Sequence, residues 1–273
     1  MTDRHPLHVF VRLAGQLYAL PVDRVSEMVR LPELTPVPNA SDDVRGLMHL
    51  RGASVPVHDM RTLLGVPPLA AEIDALVEML DQRERDHRNW LAELERTVEE
   101  GRPFTLATDP HKCAFGRWYD TFEPTNLVLQ NLLPRFDGPH KRIHALAIEV
   151  DRLVRDGEKE RAMRRIEATR GRELAEMITL FANMREVLRN DTREVAVVLE
   201  PPSGTALAYS VDLVESVAPV RFVERDDASD GLAATPELPT ANCRFALYGQ
   251  KDEVAIVIDD RQLLVGARGP AAA

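Results

Sequence analysis

Apolar and polar residues alternate with a period of two over residues 7–66. The period changes to about 3.6 from residue 70 to residue 190 and returns to two after Arg193. In the first stretch "LHVFVRL" and "QLYALPV" read as strands joined by a hairpin turn at Ala14-Gly15. A further strand, "ASVPVHDM", follows a turn at Arg51-Gly52, and prolines 32, 36 and 38 exclude a long helix between the two regions. "DMRTLLG" reads as a short helix closed by Gly65.

The middle of the chain is helical by period. Ile73, Val77, Leu80, His87, Leu91, Leu94 and Val98 share one face of a first long helix that ends at "EEGRP". A shorter helix is expected around 112–132. Asp137 is expected to cap a third helix that carries Pro139 in its first turn and runs to Asp156-Gly157. A fourth, from Glu158 to Asn190, places Met163, Ile166, Leu174, Met177, Phe181, Met184 and Leu188 at three- and four-residue steps. This describes a four-helix bundle.

Strands then return as "EVAVVLE", "ALAYSVDLV", "CRFALYG" and "VAIVID". The intervening 225–241 reads as a loop and 267–273 as a disordered tail. The order β, α, β predicts one β domain, residues 1–70 and 191–266, interrupted by a helical domain at 71–190. The two ends of an antiparallel bundle lie close together and can replace a surface loop. The fold class is α+β and multidomain.

Composition narrows the function classes. With 273 residues and 44% hydrophobic content the chain can bury substantial cores, and its formal charge of -10, without a lysine/arginine block, argues against a nucleic-acid partner. No signal-like leader or apolar run of spanning length is present, so a cytoplasmic protein with no direct membrane insertion is expected. Two cysteines, Cys113 and Cys243, are too few for a disulfide framework, and both are expected as thiols unless a metal claims one. Cys243 lies in an apolar strand and reads as core.

His87 falls on the inward stripe of the first long helix, where a buried imidazole needs a partner. His140 and His144 are four apart and point from one helix face, so they can share an ion. Cys113 completes three nitrogens and one sulfur, a set suited to tetrahedral Zn²⁺. Taken singly, Cys113 fits a small core residue, His87 a hydrogen-bonded core histidine, and the His140/His144 pair a solvated helix face. The metal reading rests on all four falling within one helical segment. Gly116 there permits close approach, and Phe115 and Trp118 can shield a site.

His87 with Trp90, "CAFGRW" and "HKRIH" together resemble the chemoreceptor zinc-binding (CZB) domain, over roughly residues 72–190. That pattern has a first-helix histidine near an aromatic, then C-x-[apolar]-G-x-[aromatic], then H-x-x-x-H. One departure is the spacing of Trp90, three residues after His87 where the family more often has its apolar residue at two. The resemblance implies zinc as the bound metal and an association with zinc and oxidant sensing.

Four protein ligands close the coordination sphere, whereas a hydrolytic zinc keeps a position for water. No H-E-x-x-H, phosphate-binding glycine loop or G-x-S-x-G is present. A non-enzyme is expected, with a zinc enzyme as the alternative. A closed site can sense through zinc scarcity, protonation of imidazoles or oxidation of the thiolate, or can serve stability alone.

The flanking halves also resemble a known family. "LYALPV", "RGLMHLRG" and "PVHDMRTLLG" in the first half, with "VAVVLE", "ALAYSVDLVESVAPV" and "CRFALYGQKDEVAIVIDD" in the second, are similar in order to the CheW coupling domain. This implies a pair of SH3-like β-barrels and an adaptor whose partners are the histidine kinase CheA and chemoreceptor cytoplasmic tips. The resemblance places Arg51 in a signalling-complex motif, where a structural hydrogen bond or ion pair is the alternative. Glu27 and Val25, in "VSEM", are further partner-binding candidates, with plain exposure as theirs. His49 and His58 have no clustered partner in the sequence and receive no role.

Overall fold

The structure, a computed structural model, describes residues 6–124, 127–190, 194–200, 205–223, 244–249 and 252–258. The chain divides into two compact units, Met1–Glu72 with Arg193–Ala273, and Ile73–Thr192. The loop expected at 225–241, the tail at 267–273 and Cys243 lie outside the described residues.

In the first unit the chain forms β1 (Leu7–Leu13), β2 (Gln16–Pro21), β3 (Val25–Arg30), β4 (Val44–Leu50), β5 (Ala53–Asp59) and the short helix α1 (Met60–Leu63). After the helical segment come β6 (Val195–Leu199), β7 (Leu207–Val211), β8 (Leu213–Pro219), β9 (Arg221–Val223), β10 (Arg244–Tyr248) and β11 (Glu253–Val257). They make a six-stranded sheet ordered β8-β1-β2-β11-β10-β9 and a five-stranded sheet ordered β3-β6-β7-β5-β4. Each sheet mixes strands from both ends of the chain. The pairs β2/β11 and β5/β7 are parallel and bridge the two halves.

In each sheet the two edge strands are brought near one another. Strands β8 and β9 lie at opposite edges of the first sheet, yet only Val220 separates them in sequence, so the edges must meet. In the second, edge residue Glu27 of β3 reaches Arg51 beside the far edge strand β4, an ion pair of 3.0 Å.

The hairpin turns fall where the sequence places them. Ala14 and Gly15, like Arg51 and Gly52, have positive φ at both central positions, as a two-residue turn between right-twisted strands requires. Val9, Val11 and Tyr18 from one sheet pack with Val197, Tyr209 and Val211 from the other around Met60. Phe10, Leu17 and Ala19 point the opposite way into the first barrel's own core. Burial on both faces explains why β1 and β2 are almost continuously apolar.

Buried charges in this unit are paired. Arg61, 2% exposed, bonds both oxygens of Asp212 at 2.7 and 2.5 Å, the Pro67 carbonyl at 2.9 Å and Glu72 at 2.7 Å. Asp59 caps α1 by accepting from the backbone N–H of Arg61 and Thr62. His58, given no partner from sequence, does have one: its Nδ1 lies 2.7 Å from Asp43 Oδ2 in a buried pair. That contact spans a bulged β4/β5 ladder, invisible to local pattern.

The second unit is helical: α2 (Leu69–Glu100, beginning within the first unit), α3 (Ala114–Tyr119), α4 (Leu127–Leu132), α5 (Asp137–Arg155), α6 (Lys159–Thr169) and α7 (Ala175–Asn190). The inward stripe of α2 is as expected, with Val77, Leu80, His87, Leu91, Leu94 and Val98 buried, and Trp90 joins it. The helix expected around 112–132 is instead two short helices, interrupted at Glu123-Pro124, because proline removes a backbone donor and restricts the residue before it. Asp137 is not a cap but the first residue of α5, entered directly from a 3₁₀ turn at Leu133–Phe136, and its carboxylate pairs with Lys141. α6 and α7 run into each other through a π-helical turn at Arg170–Leu174. That turn adjusts the register so that Ile166 and Leu174 both face the core. No helix among the described residues is long and apolar enough to cross a membrane.

Candidate metal centre

Three elements bring His87, Cys113, His140 and His144 together. His87 is carried by α2, the two other histidines stand one turn apart on α5, and Cys113 is the residue that caps α3. One ligand atom from each can be chosen so that all four lie within 4.8 Å of one another. Around a tetrahedral zinc with bonds of about 2.0–2.3 Å, ligand atoms stand roughly 3.3–3.8 Å apart. Cys113 Sγ and His140 Nε2, 3.3 Å apart, are already at that spacing.

The imidazoles are 3%, 4% and 1% exposed for His87, His140 and His144, and Cys113 is half-buried. Backbone carbonyls settle two tautomers. His87 Nδ1 lies 2.7 Å from the Arg83 carbonyl, one helical turn back, and His144 Nδ1 lies 3.0 Å from the Ala107 carbonyl. A nitrogen facing a carbonyl must carry the proton, so each Nε2 is left with a bare lone pair. Both Nε2 atoms are buried with no hydrogen-bond partner among the described residues. A buried polar atom without a partner is costly, and two of them aimed at one spot beside a thiol are what a metal would satisfy. The residues present fit zinc.

Electrostatics agree with that fit. Burial, reinforced by the neighbouring His87 and His144, drives His140 down to about 3. Burial, together with His87, drives His144 down to about 4. His87 is lowered by burial as well. Near neutral pH these rings are therefore neutral donors. Burial raises the Cys113 thiol, against the opposing backbone N–H groups of Gly116 and Phe115, so binding a metal as thiolate must release a proton.

The turn before α3 is built for the sulfur. Gly116 N–H donates to Cys113 Sγ at 3.1 Å, and a Cβ on Gly116 would stand 1.8 Å from the Pro110 carbonyl, so only glycine fits there. Phe115 covers the site as expected, its ring 5.0 Å from His140 and 5.7 Å from His87. Trp118 stands further back, stacked on Phe122 at 4.6 Å. Phe181 on α7, 6.2 Å from His87, is a wall residue that the sequence marks only as one apolar stripe position among several.

The partner-binding candidates all lie in the β unit. Arg51 sits at the β4/β5 turn with its side chain 80% exposed, and its contact is the ion pair with Glu27. Val25 opens β3 and is half-buried.

Comparison with known proteins finds two families in consecutive segments whose junction lies inside α2. The family model of the CheW-like domain matches residues 8–86, and that of the chemoreceptor zinc-binding domain matches residues 87–150. The chain is thus similar in consecutive segments to a CheW-like domain and to a chemoreceptor zinc-binding domain. His87, Cys113, His140 and His144 all fall within the segment matched by the zinc-binding family model, and the cluster they form is positioned for a metal ion. Among solved structures, the scaffolding protein TtCheW from Thermoanaerobacter tengcongensis is 13% identical, over 94% of this chain and 85% of that chain, with a TM-score of 0.38. Comparison with curated proteins gives no match.

Proposed function

We propose that the protein is a non-enzymatic adaptor that couples chemoreceptor cytoplasmic tips to the histidine kinase CheA. In this reading His87, Cys113, His140 and His144 hold a zinc ion whose occupancy alters that coupling. The observation that carries it is the convergence of the four side chains, with two buried imidazole nitrogens left unpartnered. Bound zinc supplies a compact positive charge that ties α2, α5 and the turn before α3 together. The chain's own residues orient the donors: Arg83 and Ala107 through their carbonyls, Gly116 through its N–H, Phe115 and Phe181 by excluding water.

Four protein donors satisfy a tetrahedral ion, which favours a structural or sensing role over hydrolysis. Loss of the ion, or oxidation of Cys113, leaves lone pairs buried without partners and loosens the helical core around them. The helical segment is joined at both ends to the β unit, after α1 and before β6, so a change in its packing bears on the adaptor through two covalent connections. Arg51, Glu27 and Val25 are assigned to the partner-contacting surface. The exposed Arg51 guanidinium offers a planar donor fork to a partner carboxylate.

The test is a pull-down of CheA and receptor cytoplasmic fragments by the purified protein, zinc-loaded and chelated, alongside metal analysis of C113A and H140A. Zinc at one equivalent, lost in both variants, with capture that changes on chelation, is the expected result. Capture indifferent to zinc leaves a structural ion and defeats the sensing role. Failure to capture either partner defeats the coupling role.

A further inference from the structure

The Ala107 carbonyl accepts two hydrogen bonds, from His144 Nδ1 at 3.0 Å and from the Trp90 indole Nε1 at 2.8 Å. The two donors come from different helices, α5 and α2, while the carbonyl belongs to the connection between α2 and the Cys113 turn. Among the described backbone hydrogen bonds, Arg102 N–H to Thr97 and Lys112 N–H to Asp109 close the two ends of this connection, and none involves residues 103–108. Nothing regular in the backbone therefore sets where the Ala107 oxygen stands. It is set by the side chains that reach it, and of these Trp90 is the one outside the ligand set.

The indole itself is well held. Trp90 is 6% exposed, meets Phe104 of the same connection edge-to-face at 4.9 Å, and lies 5.1 Å from the His144 ring. A buried indole N–H must find an acceptor. By finding it at Ala107 it pins that carbonyl against His144 Nδ1, which keeps the proton on Nδ1 and the lone pair on Nε2.

Building on the zinc reading above, we infer that Trp90 is a positioning residue of the metal centre, acting through the Ala107 carbonyl to hold His144 in its ligating tautomer. Outer-shell partners of metal-bound histidines commonly change affinity by about 10–100-fold when removed. Without the indole N–H, His144 must anchor the connection unaided, and its ring gains freedom to turn and to exchange tautomers.

The test compares wild type with W90F, and with a protein carrying benzothienylalanine at position 90, which keeps the indole shape but lacks the N–H. Zinc affinity is read by competition with a chromophoric chelator. The His144 tautomer in the zinc-free protein is read from its two ring nitrogens by ¹H–¹⁵N correlation NMR. Both replacements are expected to bind zinc about tenfold more weakly and to show a mixed His144 tautomer where wild type shows one. If the isosteric replacement binds zinc as wild type does, or leaves the tautomer single, the role of Trp90 is wrong even if W90F is too unstable to measure. If wild type itself binds no zinc, it is the metal reading that fails.

Discussion

The two units bury titratable side chains in opposite ways. In the β unit they complete one another: Arg61 meets Asp212 and Glu72, and His58 meets Asp43. In the helical unit three histidines converge at the core, their rings 4.8–5.8 Å apart, and the cluster they form with Cys113 includes no carboxylate among the described residues. Two of their nitrogens have no hydrogen-bond partner among the described residues. One core is closed by its own residues, and the other is a set of donors requiring a cation. Paired charges in the first hold a scaffold in shape whatever the surroundings, whereas the second makes helix packing conditional on what it binds.

The contrast is broken most forcefully by taking the metal away. Structural zinc in small domains contributes apparent binding free energies of about 10–16 kcal/mol, much of it expressed as folding. In differential scanning calorimetry a strong chelator, or the H140A/H144A double variant, should lower the helical transition by more than about 10 °C while the β transition moves little. Equal shifts in both transitions would mean that the two units do not differ in the way described.

The converse experiment is R61A, which removes a buried guanidinium and leaves the half-buried Asp212 carboxylate without its cation. Removing one partner of a buried pair costs about 3–5 kcal/mol, and the loss should appear in urea unfolding of the β unit with zinc stoichiometry unchanged. Replacement by methionine, in combination with D212L, should recover part of it, since an apolar pair leaves no charge stranded.

pH sharpens the same point at smaller scale. Burial pushes the Asp43 carboxyl upward, but hydrogen bonds from Ser41 and His58 and the nearby His58 charge outweigh it, and the group sits below its usual value of 3.8. A depressed acid binds fewer protons folded than unfolded. Its contribution is thus fully present above about pH 4–5 and drains away as pH falls through 3.8 toward the native value. D43N should remove that segment of the acid-unfolding profile and cost about 1–3 kcal/mol near neutrality by leaving His58 mispaired.

The smallest effect on folding is expected at the barrel seam. Arg51 is largely exposed, so R51A should change stability by less than about 0.5 kcal/mol. A marked drop in partner capture with an unaltered melting curve would separate recognition from folding. A large loss of stability instead would return Arg51 to a purely structural ion pair with Glu27.

Local pattern reached far into this molecule. The switch of period near residue 70 and back near 193 marks where strands give way to helices, because side-chain alternation follows directly from backbone geometry. Residue chemistry and spacing singled out His87, Cys113, His140 and His144, since each has an ordinary core or surface reading alone and only their conjunction in one helical segment points to a metal. Where short-range terms are nearly balanced the reading slipped. Asp137 has the side chain of a cap, yet the preceding 3₁₀ turn carries the chain into α5 one residue earlier, and the 112–132 segment breaks at its proline.

Other features depend on residues far apart in the chain meeting, and no window of sequence contains them. His58 finds Asp43 across a bulged ladder, Arg61 finds Asp212 from the opposite end of the chain, and Glu27 meets Arg51 from the other edge of a five-stranded sheet. The carbonyls of Arg83 and Ala107, which choose the histidine tautomers, are backbone atoms that every residue possesses, so residue identity carries no mark of them. The sequence determined which side chains could bind a metal. Tertiary packing decided which nitrogen of His87 and His144 would be free to do so, because a hydrogen bond at one ring nitrogen fixes the state of the other.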